Sequence, residues 1–156
     1  MRNIVLIGYQ GVGKTYYGKK LSKVLDRTFI DTDELLESKF GESVRELYKR
    51  LGEVAFRKEE KTVIEQLYGM NNTIIATGGG VVEIKGALTL LQGLGHVVYL
   101  HNDLESLKKR WTGKGSFYQA ASIEGVFERR CKMYKICCNS QVEGRWDQIL
   151  LVGNLW

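Results

Sequence analysis

Short apolar runs alternate with amphipathic stretches along the chain. Ile4–Ile7 is a continuous apolar run and predicts a buried strand, followed by a glycine-rich turn and a helix through Leu21 and Leu25. Residues 29–31 predict a second short strand, Thr73–Ala76 a third and 97–100 a fourth, with a weak strand near Gln141 and Val142. Ser43 with Glu46 three residues on has the form of a capping box and predicts a helix start. A longer helix follows, with Phe56, Val63, Ile64 and Leu67 on one side, and helical patterns cover Leu104–Arg110, 123–134 and Trp146–Leu155. Strands that alternate with helices predict a three-layer α/β/α fold around a parallel sheet of about five strands, with right-handed crossovers. In such sheets ligands sit beyond the carboxyl ends of the strands.

The chain has 156 residues, and no proline, repeat or low-complexity tract marks a boundary within it, so one domain over 1–156 is expected. No apolar run approaches the ~20 residues of a membrane span, and the first segment stops at Gly8 without a signal-peptide layout. A cytoplasmic monomer without a membrane partner is the expectation. Cys131, Cys137 and Cys138 are odd in number and lack paired metal-site spacings, which predicts reduced packing residues. The net charge of +5, concentrated partly at Lys108, Lys109, Arg110 and Lys114, suits an anionic partner. With no RNA-binding aromatic signature and no DNA-reading helix motif, a nucleotide fits that charge better than nucleic acid.

Residues 8–15 read Gly-Tyr-Gln-Gly-Val-Gly-Lys-Thr, a complete phosphate-loop pattern between a strand and a helix. Glycines let the backbone curl so that successive N–H groups face phosphate oxygens, and the helix N-terminus adds favourable dipole charge. Gly11, Val12, Gly13, Lys14, Thr15 and Tyr16 are therefore the candidate ATP-binding residues. Lys14 would reach the β- and γ-phosphates, and the Thr15 hydroxyl would ligate Mg²⁺ directly. The motif by itself does not separate kinases from other nucleotide hydrolases.

Three further segments narrow the choice. Asp31 and Asp33 flank Thr32 after the second strand; one pleat apart, they would project to the same side if the strand continued, and two carboxylates near a triphosphate suit a cation and a hydroxyl. Arg57 and Glu60 are three apart on a helix beside Phe56 and can touch, which taken alone describes a surface ion pair. Gly78, Gly79 and Gly80 follow the third strand, where they could form a flexible turn or admit a ligand close to the backbone.

A phosphate loop, Asp-x-Asp, Phe-Arg-x-x-Glu and Gly-Gly-Gly in this order resemble the shikimate kinase family, from Met1 to about Arg110. The resemblance implies a P-loop kinase that transfers the γ-phosphate of ATP, with Mg²⁺, to the 3-hydroxyl of shikimate. It implies that Asp31 supports the metal through water and that Asp33 binds the acceptor hydroxyls and takes the proton. Glu60 would hold Arg57, Arg57 would grip the substrate carboxylate, and Gly79, flanked by Gly78 and Gly80, would lie against the substrate.

Beyond Arg110 the match thins. The family carries a lid with an arginine usually followed by proline, whereas the lid segment here, about 111–122, contains neither. Lys114 is the replacement for the lid arginine as ATP-binding and catalytic cation, with Gly113 and Gly115 permitting closure. A lysine lacks the two-pronged geometry of arginine, so a slow enzyme is compatible with the sequence. Arg110 resembles the family arginine that stacks on adenine. Arg130 with Tyr134 resembles the second substrate arginine, although a one-residue shift to Arg129 stays open. The rival readings are a kinase for another small hydroxy acid, such as gluconate, and a non-catalytic nucleotide-binding member.

Overall fold

The computed structural model describes residues 1–110 and 123–156. Five parallel strands form one sheet in the order β2-β3-β1-β4-β5, with β1 at Ile4–Ile7, β2 at Thr28–Asp31, β3 at Thr73–Ala76, β4 at His96–His101 and β5 at Ser140–Glu143. β1 is central and wholly buried because both of its faces are covered, which is why it reads as an unbroken apolar run. Helix α1 (Lys14–Leu25) packs on β2 and β3 and against α8 (Trp146–Leu155), while α5 (Ala87–Leu94) and α7 (Ile123–Cys137) pack together beside β4. The predicted α/β/α architecture and all five strands are present.

Helices α2 (Thr32–Phe40), α3 (Val44–Leu51) and α4 (Glu53–Glu65) build a side arm with its own small core of Leu36, Leu47, Phe56 and Val63. The Ser43–Glu46 capping box starts α3 as expected: the Ser43 hydroxyl accepts from Glu46 N at 3.2 Å and the Glu46 carboxylate from Ser43 N at 3.4 Å. Two helices, α2 and α5, are additional to those expected from the sequence. Helix α7 runs three residues beyond the expected 134, and α6 occupies Leu104–Arg110. Among the described residues the three cysteines are free thiols, and no helix is long and apolar enough to cross a membrane.

Candidate active site

Strand β1 ends at Ile7 and α1 begins at Lys14, so the glycine-rich segment is a tight strand-to-helix loop. Gly8 has φ +151°, and a Cβ there would lie 2.4 Å from the Leu100 carbonyl oxygen, which excludes any side chain. Gly11 and Gly13 also take positive φ, and α1 has no side-chain cap, so its first-turn amides are not engaged by one. The Val12 side chain is buried in the core and anchors the loop, whereas Tyr16 is 66% exposed at the rim. The Lys14 Nζ is buried and donates to the carbonyls of Gly8 at 2.6 Å and Tyr9 at 3.1 Å. Desolvation lowers its pKa to about 8, against the opposing pull of Asp33 and Asp31. An anion in the loop would relieve that burial cost.

The two aspartates are not one pleat apart on a strand. β2 stops at Asp31, and α2 starts at Thr32 because the Asp31 side chain caps it, Oδ1 accepting from Asp33 N at 2.9 Å. The other oxygen, Oδ2, accepts from the Thr15 hydroxyl at 2.6 Å. Thr15 and Asp31 thus present two hard oxygen donors side by side at the mouth of the phosphate loop, a set that suits Mg²⁺ with its retained waters. Asp33, on the first turn of α2, is half-buried, and its pKa is pushed up to about 7 by desolvation first, then by Glu60 and Asp31, with Lys14 opposing. A carboxylate poised there can accept a proton near neutral pH.

Arg57 projects from α4. Its Nη1 donates to Glu60 Oε1 at 2.9 Å and its Nε to Glu53 Oε1 at 3.0 Å, and the guanidinium lies over the rings of Phe56 and Tyr48. This is not a surface ion pair: the side chains of Arg57 and Glu60 are 11% and 1% exposed. Burial raises the Glu60 pKa even against the pull of Arg57. The triple glycine is a steric requirement rather than a flexible turn. A Cβ on Gly80 would lie 2.2 Å from Arg57 Nη2, one on Gly78 2.8 Å from Asp33 Oδ1, and one on Gly79 3.1 Å from the backbone N of Gln10.

Of the two adjacent arginines on α7, Arg130 is buried and lines the cavity, while Arg129 is 55% exposed. One turn on, the Tyr134 hydroxyl donates to the Gly79 carbonyl oxygen, tying α7 to the glycine loop. Arg110 Nη1 lies 3.4 Å from the carbonyls of both Gly11 and Val12, against the outer side of the phosphate loop. Lys114, Gly113 and Gly115 fall outside the described residues. Three residues that support the site were not singled out from the sequence: Glu53, whose i, i+4 spacing to Arg57 was a usable signal, and Tyr48 and Glu83, which had no local one.

One open cavity of about 820 Å³ at the carboxyl ends of β1, β2 and β3 is lined by Lys14, Thr15, Asp31, Asp33, Arg57, Gly79 and Arg130 together. A family model, "Shikimate kinase", matches residues 10–148, well past the point where the motifs thin. The chain belongs to the shikimate kinase family. A shikimate kinase of Clostridium botulinum (strain 657 / Type Ba4) is 36% identical, with all of this chain and 98% of that one covered. One of Enterococcus faecalis is 33% identical over 92% of this chain and 89% of its own. Among solved structures, the shikimate kinase of Acinetobacter baumannii in complex with shikimate superposes with TM-score 0.85 at 26% identity, over 99% of this chain and 90% of its own. A gluconokinase of Sinorhizobium meliloti shares the fold at TM-score 0.60 and 13% identity, with 97% and 89% of the two chains covered. This shikimate kinase family member is an ATP-dependent kinase.

Proposed function

We propose that the enzyme transfers the γ-phosphoryl group of ATP to the 3-hydroxyl of shikimate, giving shikimate 3-phosphate and ADP. The observation that carries this reading is the convergence of two arginines and one carboxylate of raised pKa on a glycine loop, opposite the phosphate-loop lysine. A cyclic acid bearing hydroxyls matches both charges: its carboxylate meets Arg57 and Arg130, and its hydroxyls meet Asp33. As the hydroxyl oxygen bonds to the γ-phosphorus and the bond to the β–γ bridging oxygen breaks, Asp33 accepts the hydroxyl proton and ADP leaves. Lys14 and the loop amides balance charge on the triphosphate. Thr15 would hold Mg²⁺ directly and Asp31 through water; when bound, the metal supplies further neutralisation of phosphate charge. Lys114, outside the described residues, would supply a further cation to the phosphates, and Arg110, beside the phosphate loop, would be the partner of the adenine.

A coupled assay of ADP release with ATP, Mg²⁺ and shikimate tests the reaction. Turnover that requires shikimate supports it, whereas ADP release indifferent to shikimate would assign another acceptor. Gly80→Ala probes the acceptor side. The added methyl drives the Arg57 guanidinium out of its place, so the shikimate KM is expected to rise about tenfold, equivalent to ~1.4 kcal/mol, with the ATP KM unchanged. Steady-state kinetics with each substrate varied in turn check this result, and an equal rise in both values would contradict it.

A further inference from the structure

Glu83 belongs to the 3-10 turn Val81–Glu83 that follows the triple glycine, and its side chain is 16% exposed. Its Oε1 accepts from Arg130 Nε at 3.3 Å, and from Arg129 Nε at 3.2 Å and Nη2 at 2.9 Å. The Arg130 side chain is 4% exposed, and a guanidinium so far from water needs a fixed counter-charge to stay in one orientation. Glu83 supplies it from backbone that is continuous with the acceptor loop: Val81 N donates to Gly78 O at 3.2 Å and Glu83 N to Gly80 O at 2.9 Å.

The two acceptor-side arginines are thus arranged alike. Arg57 is held by Glu60 and Glu53 on its own helix, where spacing alone brings the charges together. Arg130 is held by a carboxylate 47 residues away in sequence, on the 3-10 turn that continues the glycine loop. Exposed Arg129 covers the solvent side of the same oxygen, so Glu83 is enclosed between the two guanidiniums.

We infer that Glu83 is a positioning residue for acceptor binding: it orients Arg130 toward the acceptor carboxylate and couples that orientation to the glycine loop. The inference rests on the reading of Arg130 as a ligand of the shikimate carboxylate. Glu83→Gln keeps size and removes charge. Its shikimate KM, and its Kd measured by calorimetry, are expected to rise about tenfold, with the ATP KM within about twofold and the melting temperature near that of the wild type. On an Arg130→Lys background the same change should add little, because its effect passes through Arg130. A shikimate KM within twofold of the wild type, or a full additional loss on that background, overturns the inference while leaving the reaction intact. Wild-type enzyme without shikimate-dependent turnover overturns the reaction, and this role of Glu83 with it.

Discussion

Asp33→Asn is expected to remove about 10²–10⁴-fold of kcat and, in the same protein, to stabilise the ligand-free fold at and above neutral pH. Both effects have one cause. The carboxyl is half-buried beside Glu60 and Asp31, which raises its pKa from 3.8 to about 7, so holding it ionised in the folded state is unfavourable. Between those two values the native state binds more protons than the unfolded state, and this group makes stability fall as pH rises. The penalty is absent below about pH 4 and complete above about pH 7. An asparagine carries none of it. Because the side chain keeps some contact with solvent, a gain of about 1–2 kcal/mol is expected for the variant at pH 8. Urea denaturation at pH 8 and pH 4.5 checks the sign: the advantage of Asp33→Asn should shrink toward the lower pH. Turnover of the wild type should rise with pH through the neutral range, as the free carboxylate becomes available. A variant that retained activity, or that was less stable at pH 8, would remove Asp33 from the role of base.

What could be read in the sequence follows from where the determining forces act. The central strands were legible because burial on both faces leaves only apolar residues, as in Ile4–Ile7. The phosphate loop and the Ser43 capping box were legible because their contacts lie within a few residues. Helix α2 was not, since its start depends on Asp31, a residue that also reads as the end of a strand and whose other oxygen bonds Thr15 sixteen positions away. Helix α5 differs: its buried residues Ala87, Leu90, Leu91 and Leu94 fall at i, i+3, i+4 and i+7, with Thr89 and Gln92 off that stripe, so its period is present in the sequence although only two turns long. The site shows the same division. Arg57 with Glu60 could be paired by spacing, but that the pair is buried rather than exposed depends on the small core beneath α2, α3 and α4. The spacing to Tyr134 favours Arg130 over Arg129 but leaves a one-residue shift open; burial separates the two.

The second large effect expected is at Lys14. Lys14→Met should lower kcat by about 10²–10³-fold, since the methionine fills similar space but offers no positive charge to the triphosphate. The ammonium donates to the carbonyls of Gly8 and Tyr9, which closes the loop on itself, and burial lowers its pKa from 10.5 to about 8. The sign is opposite to that of Asp33. Between pH 8 and 10.5 the unfolded state binds more protons, so this group makes wild-type stability rise with pH, and its penalty is complete below about pH 8. Lys14→Met has no such dependence. Its stability relative to the wild type should therefore decline as pH is raised from 7 to 10, which denaturation at the two pH values measures directly. At neutral pH the enzyme thus carries a buried ammonium, charged at a cost, beside a half-buried carboxyl close to its own pKa, and each only partly compensates the other. ATP should recover the lysine's share, because phosphate oxygens replace the two carbonyls as partners. ATP should then stabilise the wild type far more than Lys14→Met in a thermal shift measured at pH 7. Equal shifts in the two proteins would mean that the ammonium stays on Gly8 and Tyr9 when nucleotide binds, and that its charge takes no part in holding the triphosphate.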